Sequence, residues 1–243
     1  MRLFYQAGRV VSFFVAQALC GERVFGVRRV PRTDPVLLTA NHQSFLDPML
    51  LTYALPRECH YMARDTLFHN EHFARIIRKL NAFPIKRATA DLAGVKEALR
   101  RLSAGALVLA FPEGTRTTNG RVGPFQPGVF TIARRAGVSV VPAAIEGAFE
   151  TWPRGSKLPR PARVCVEYGP PLRPDALAHL DAKQAAAEIT RRVRTLHNAL
   201  RRRIGRRPFE YAGQEAAPND PASSATKIVA IRPIADRGLR IGG

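Results

Sequence analysis

Asn41 to Pro48 is the segment whose residue types and spacing are best suited to chemistry. It follows the apolar run Val36 to Ala40 and contains His42 and, five residues later, Asp47. A neutral imidazole can take a proton from an alcohol that attacks a carbonyl group, and a carboxylate on its other nitrogen fixes the tautomer and stabilises the imidazolium. The structural alternative is that Asp47 and Pro48 begin a helix, as an N-cap followed by proline, and that His42 is a loop histidine.

A second polar segment, Phe111 to Arg116, also comes directly after a strand-like apolar run. Arg116 offers a planar guanidinium to a phosphate, and Glu113 can accept a hydrogen bond from a glycerol hydroxyl or steady the arginine. Gly114 permits a tight turn that directs these side chains toward a common pocket. A surface turn with a local ion pair is the alternative, and this segment alone does not decide between the two.

Both segments are positioned by strand-like and helix-like stretches that alternate along the chain. Short continuous or alternating apolar runs predict strands, and apolar residues with helical spacing predict helices. This alternation predicts an α/β domain with a mixed, largely parallel central sheet flanked by helices, in which residues after the strands lie at the carboxyl edge of the sheet. The predicted strands are 35–40, 106–111, 139–145 and 163–168, and the predicted helices are 49–55, 69–80, 91–103, 128–136 and an interruptible 174–203.

The N-terminus has the periodicity of an amphipathic helix. Apolar side chains from Leu3 to Ala18 share one face, while Arg9 and Gln17 lie on the other. A helix from about residue 3 to 24 is predicted, either in a bilayer interface or docked on the core, because both need one apolar face. Arg9 divides the apolar region and leaves Val10 to Gly21 as its longest uncharged stretch. This stretch is shorter than the roughly 20 apolar residues of a spanning helix. We therefore expect neither a spanning helix nor a signal peptide.

Composition narrows the class of protein less than the motifs do. A hydrophobic content of 46% and a charged content of 23% exclude wholesale disorder, and 38 Lys and Arg against 19 Asp and Glu give a formal charge of +19. That charge attracts phosphates on nucleic acids, anionic lipids or acidic substrates. Cys20, Cys59 and Cys165 suggest neither a disulfide framework nor a thiolate metal site, and no partner completes a site with His69 and His72.

The end of the last predicted helix is densely basic. These arginines either bind an anionic membrane surface electrostatically or form a solvated face at a helix C-terminus. After Tyr211 the content of Ala, Pro, Gly and Ser rises and periodicity disappears, so a flexible tail is predicted. The basic residues are Arg191, Arg192, Arg194, Arg201, Arg202, Arg203, Arg206 and Arg207.

Four short blocks together resemble those of the glycerolipid acyltransferases, the family that includes lysophosphatidic acid acyltransferases. They stand in the order of that family within about residues 30 to 170, which makes the resemblance specific. Asn81 and Thr117 replace a usual glycine and serine, but asparagine tolerates left-handed backbone and threonine keeps the hydroxyl. The blocks are Asn41-His42 with Asp47, Ala82 to Arg87, Phe111 to Arg116, and Val141 to Ile145.

The resemblance implies that His42 is the general base and Asp47 its partner. It implies a lysophospholipid acceptor, above all lysophosphatidic acid, and an acyl thioester donor, which is acyl-CoA or acyl carrier protein. It implies no metal and no other cofactor. The residues that it assigns to acceptor binding are Arg87, Glu113, Gly114, Thr115 and Arg116.

We therefore predict an amphipathic membrane-associating helix over 1–27, an acyltransferase domain over 28–211 and a tail over 212–243. The protein is expected to be peripheral or monotopic on an anionic cytoplasmic membrane face. Glycerol 3-phosphate, a lyso-ornithine lipid or another lysophospholipid would be an acceptor with the same motif chemistry. A basic nucleic-acid-binding protein is the alternative from another class, but no binding module or interleaved aromatic residues accompany the arginines, so no nucleic acid is expected. The intact motifs also disfavour a catalytically inactive membrane-binding relative.

Overall fold

A seven-stranded sheet organises the chain in the computed structural model, which describes residues 3–86 and 91–211. The strands are β1 (Arg23–Phe25), β2 (Val36–Ala40), β3 (Cys59–Arg64), β4 (Ala82–Ile85), β5 (Leu107–Ala110), β6 (Ser139–Glu146) and β7 (Cys165–Tyr168). They lie in the order β1-β7-β6-β2-β5-β3-β4. Every neighbouring pair is parallel except β6 and β7, which are antiparallel. The predicted mixed, largely parallel sheet is confirmed.

Helices cover both faces of this sheet, so the core has two layers. Along β2, Leu37 packs toward one face, while Val36 and Leu38 pack toward the other, as the two-residue period of a strand requires. All five residues of β2 are buried, which explains its uninterrupted apolar sequence. The helices are α1 (Leu3–Val15), α2 (Asp47–Leu50), α3 (Glu71–Lys79), α4 (Leu92–Ser103), α5 (Gly128–Ala136), α6 (Ala148–Thr151), α7 (Pro174–Ala178) and α8 (Ala182–Arg203).

Three strands, β1, β3 and β4, were not predicted. β3 is only partly buried beyond Cys59, so its sequence has no continuous apolar run. β4 contains Pro84, which argues against a strand in the middle of a sheet but is tolerated at the edge, where β4 lies. The predicted helix over 49–55 is likewise shorter and earlier, since α2 spans only Asp47–Leu50.

The N-terminal helix ends earlier than predicted. α1 continues into a π-helical turn, Ala16–Cys20, and Gly21 then adopts a left-handed conformation with φ 47°. Gly21 thereby ends the helix, because glycine takes positive φ without steric cost. Residues 23 and 24, which were predicted to be helical, instead belong to β1, which pairs in parallel with β7. The prediction of one helix to residue 24 was therefore wrong at its C-terminal end.

The amphipathic helix docks on the protein through its polar face. The Arg9 guanidinium donates two hydrogen bonds to the Tyr53 carbonyl oxygen, and the Tyr5 hydroxyl accepts one from the Cys59 backbone amide at 2.8 Å. The apolar face points outward, with Leu3 87% and Phe14 64% exposed. Docking on the core through the apolar face, one of the two sequence alternatives, is thus excluded.

The described residues contain one helical segment, Leu3–Cys20, that is long and apolar enough to cross a membrane by length and composition. It has 18 residues, a mean hydropathy of 1.2 and only 17% of its residues buried. At 1.5 Å per residue it is about 27 Å long, slightly less than the roughly 30 Å hydrocarbon core of a bilayer. The segment therefore lies at the boundary between a spanning and an interfacial helix.

Most of the C-terminal arginines contact the protein itself. Arg201 and Arg206 bind the Glu146 carboxylate, and Arg203 pairs with Glu167 at 3.8 Å. The predicted interruption of the 174–203 helix is confirmed between α7 and α8. Fewer of these arginines are thus left to bind an anionic partner than the sequence suggested. This also weakens the nucleic-acid alternative. The predicted tail, 212–243, lies outside the described residues.

Candidate active site

Two neighbouring parallel strands bring the polar segments together. β2 ends at Ala40 and β5 at Ala110, and Thr39 and Ala110 are partners in the ladder between them. The loops after the two strands are joined directly, since the Thr117 amide donates to the His42 carbonyl oxygen at 2.8 Å. The site therefore lies at the carboxyl edge of the sheet, as the sequence predicted.

His42 and Asp47 form a close pair. The His42 Nδ1 atom lies 2.7 Å from Asp47 Oδ2, and the two side chains are 13% and 0% exposed. The Phe111 ring stacks on the imidazole with a centroid distance of 4.0 Å. A carboxylate at Nδ1 selects the tautomer that is protonated there, so the Nε2 lone pair is the one available to a substrate hydroxyl.

The carboxylate of Asp47 also holds the turn that precedes it. Its Oδ2 atom accepts the backbone amides of Gln43 at 2.5 Å and Ser44 at 2.7 Å. Asp47 itself lies in the first turn of α2, for which Leu46 is the N-cap. Asp47 therefore bonds back to the loop that carries His42 and does not cap the helix, so the structural alternative for this segment does not apply.

Glu113 supports the same loop from the other side. Its Oε1 atom accepts the His42 backbone amide at 3.1 Å. Burial raises the pKa of Glu113 to about 7, against the opposing effect of hydrogen bonds from His42 and Gly123. This contact with the main chain of His42 had no signal in the sequence. Binding of an acceptor hydroxyl by Glu113 stays a prediction.

The turn after β5 has the geometry that glycine allows. Gly114 adopts φ 73°, and its amide donates to the Phe111 carbonyl oxygen at 3.0 Å. A Cβ atom at Gly114 would lie 3.0 Å from the Gln126 side chain, so both conformation and space favour glycine here. The turn carries Thr115 to an exposed position.

Two arginines lie beside this turn. The Arg116 guanidinium lies over the Phe45 ring at 3.8 Å, and Arg154 Nη1 lies 3.5 Å from the Thr115 hydroxyl. Burial, followed by the like charge of Arg154, lowers the pKa of Arg116. Two neighbouring cations that repel each other form a surface that favours an anion. Arg87, the other predicted phosphate ligand, lies outside the described residues.

Arg154 was missed from the sequence because it belongs to the long connection between β6 and β7. That connection is tied to the His42 loop by two contacts. The Ser44 hydroxyl donates to the Trp152 carbonyl oxygen at 3.2 Å, and the Phe45 and Trp152 rings lie 6.0 Å apart. Only this packing brings Arg154 to the site, and no local motif could have indicated it.

No group of three or more potential metal ligands of the His, Cys, Asp or Glu type occurs within residues 3–86 and 91–211. The described residues of the site can perform acid–base chemistry. A histidine with a paired carboxylate can accept a proton, and the adjacent guanidinium groups can hold an anionic substrate.

The chain is similar to known acyltransferases in sequence and structure. A family model described as Acyltransferase matches residues 23–146. The 1-acyl-sn-glycerol-3-phosphate acyltransferase of Bacillus subtilis is 30% identical over 185 residues, which cover 74% of this chain and 90% of that protein. A chloroplastic 1-acyl-sn-glycerol-3-phosphate acyltransferase of Brassica napus is 34% identical over 135 residues, 54% of this chain but only 39% of its own length.

A solved structure supports the same relationship. The crystal structure of PlsC from Thermotoga maritima, a 1-acyl-sn-glycerophosphate (LPA) acyltransferase, matches with a TM-score of 0.68 and 26% sequence identity. The match covers 79% of each chain. The similarity therefore extends well beyond the motif segments.

Proposed function

This chain belongs to the acyltransferase family, and on that premise we propose that it acylates the free hydroxyl of lysophosphatidic acid to give phosphatidic acid. The observation that carries the proposal is the 2.7 Å pair of His42 Nδ1 and Asp47 Oδ2 beside the guanidinium groups of Arg116 and Arg154. The names of the Bacillus, Brassica and Thermotoga relatives support this acceptor.

In the proposed mechanism, His42 Nε2 removes the proton of the acceptor hydroxyl as its oxygen attacks the thioester carbonyl carbon. Asp47 stabilises the imidazolium that forms. The tetrahedral intermediate then expels the donor thiolate, and the imidazolium returns the proton to the sulfur, so that His42 is neutral again. General-base assistance of this kind contributes about 10² to 10⁴ in rate.

The two arginines are proposed to hold the acceptor. The phosphate of lysophosphatidic acid is a phosphomonoester that approaches two negative charges at neutral pH, and two guanidinium groups match it better than one. Arg87 is expected to contribute to the same site. Thr115 and Gly114 shape the turn on which Arg116 is held.

The donor is proposed to be an acyl thioester of coenzyme A or of acyl carrier protein. Both carriers are anionic, and a chain with a formal charge of +19 attracts either. The motif chemistry is the same for both because the thioester carbonyl is the group that reacts.

The outward apolar face of α1 supports binding to a membrane, since exposed Leu3, Phe4, Val10, Val11 and Phe14 would enter the interface. We place the protein on the cytoplasmic face, where the donors are made. A lysophospholipid acceptor resides in the same interface.

Acyl transfer to lysophosphatidic acid in mixed liposomes tests the proposal, with acyl-CoA and acyl carrier protein donors run in parallel. The wild type should form phosphatidic acid, and His42→Ala should lose activity by about 10²-fold or more at unchanged folding. His72→Ala is the control, since His72 is an exposed histidine on α3. Full activity in His42→Ala would refute the assignment of the base. Turnover only with glycerol 3-phosphate or a lyso-ornithine lipid would transfer the proposal to that acceptor.

A further inference from the structure

Glu146, the last residue of β6, is a buried carboxylate outside the motifs. It is 1% exposed and pairs with His197 Nε2 at 2.7 Å, Arg201 Nη1 at 2.7 Å and Arg206 Nη1 at 2.9 Å. Burial on its own would raise the pKa of Glu146, but His197 and the two arginines outweigh it and lower that pKa to about 2. Contacts with α8 and the segment that follows it therefore hold this carboxylate inside the protein.

The side chain of Gln43 joins this carboxylate to the loop of the proposed base. Gln43 Nε2 lies 3.3 Å from Glu146 Oε2 and 3.1 Å from the Gly120 carbonyl oxygen, while its Oε1 accepts the Phe149 amide at 3.2 Å. The residue stands next to His42, and its own amide donates to Asp47 Oδ2. A change at Glu146 is thus two hydrogen bonds away from the Asp47 carboxylate.

His197, on α8, belongs to the same cluster. Its Nδ1 atom is buried without a hydrogen-bond partner, and its Nε2 atom lies 2.7 Å from Glu146 Oε2 and 3.2 Å from Gln43 Nε2. The Phe209 ring stacks on the imidazole at 5.9 Å and 9°. His197 therefore contacts both Glu146 and Gln43, which joins α8 to this cluster.

From these contacts we infer that Glu146 is a positioning residue for the reaction, acting through Gln43 to fix the His42–Asp47 turn. It touches neither substrate nor the reacting atoms. The inference rests on the proposed role of His42 and Asp47, and it makes α8 part of the support of the active site. Misplacement of a catalytic group by about 1 Å can cost about 10²-fold in rate.

Glu146→Gln is the variant that tests the inference, and Glu167→Gln is its matched control. Glu167 is also a buried glutamate, 5% exposed, and it pairs with Arg29 and Arg203, but it lies on β7 away from Gln43. Glu146→Gln should lower kcat by about 10- to 100-fold with an acceptor KM within about twofold. Glu167→Gln should keep kcat within about twofold. An equal loss in both variants would show general destabilisation and overturn the inference.

Gln43→Met supplies a second test that leaves the ion pairs of Glu146 intact. It should lower kcat as Glu146→Gln does, and the double variant should be no slower than the slower single one, because both break one connection. Additive losses, or an unchanged kcat in folded Gln43→Met, would overturn the inference.

A spectroscopic readout separates this inference from the proposed function. The proton shared between His42 Nδ1 and Asp47 should give a low-field NMR signal in the wild type that shifts or broadens in Glu146→Gln and persists in Glu167→Gln. This signal does not depend on turnover. Absence of any acyl transfer by the wild type would count against the proposed function, whereas an unchanged signal in Glu146→Gln would count against positioning by Glu146.

Discussion

Replacement of Glu113 by glutamine should remove the pH dependence that this residue gives to folding stability. Glutamine keeps the shape of the side chain and its Oε1 atom, which can still accept the His42 amide. It removes the carboxyl whose pKa burial raises from 4.5 to about 7. Stability, measured against pH, should therefore report the buried ionisation directly.

Because burial raises the pKa of Glu113, its contribution to stability decreases as pH rises. Between pH 4.5 and 7 the folded Glu113 keeps its proton while the unfolded one loses it, so stability falls as pH rises through this range and levels off above it. A tenfold change in proton affinity corresponds to about 1.4 kcal/mol. The free energy of unfolding at pH 8 should therefore be about 3 kcal/mol lower than at a pH well below 4.5, as far as Glu113 contributes to it. Glu146, with a folded pKa of about 2, has the opposite effect on stability. Its contribution is lost as pH falls below about 4.5.

Urea denaturation of wild type and Glu113→Gln at pH 5, 6, 7 and 8 measures this difference. The free energy of unfolding of the wild type should fall relative to the variant by about 2.5 kcal/mol between pH 5 and pH 8. Glu22, whose pKa burial also raises, is present in both proteins, so its contribution cancels. Parallel curves for the two proteins would refute the buried-carboxyl account of Glu113.

Three further outcomes are expected from the site and the N-terminal helix. Asp47→Asn should lower kcat by about 10²- to 10⁴-fold at unchanged acceptor KM, because the imidazolium loses its carboxylate. A steady-state assay with saturating donor measures both constants, and an unchanged kcat would contradict this role of Asp47. Arg154→Ala should raise the KM for lysophosphatidic acid about tenfold and affect lysophosphatidylglycerol, a phosphodiester, less. Lys157→Ala, in the same exposed connection, is its control, and equal effects on both acceptors would contradict the phosphate contact. Phe14→Glu should reduce co-sedimentation with anionic liposomes about tenfold, whereas Leu92→Glu, an exposed apolar residue on α4, should not.

The parts of the fold that the sequence predicted are those with strong local signals. β2, β5, β6 and β7 are buried almost throughout, so each is largely apolar in sequence. β4 is paired only on one side and contains Pro84, so its tertiary position at the edge decided its structure. The direction of α1 could not be predicted at all, because helical periodicity is the same whether the apolar face points inward or outward.

The same distinction holds for the site. His42 and Asp47 were predictable because they are five residues apart and of types that form a proton-transfer pair. The contact between Gln43 and Glu146 joins residues 103 positions apart in the chain. Each of these two is ordinary on its own, so only the packing of β6 against the loop after β2 makes them neighbours.

With α1 bound to a membrane as proposed, its outward apolar face determines how the enzyme meets its acceptor. Arg9 holds α1 on the segment after α2 through the Tyr53 carbonyl oxygen, so the outward apolar face is connected directly to the segment that follows the His42 loop. An enzyme anchored in this way samples lysophosphatidic acid by diffusion in two dimensions. Its saturation would then follow the mole fraction of acceptor in the bilayer, and diluting that acceptor with inert lipid would slow the reaction at constant bulk concentration.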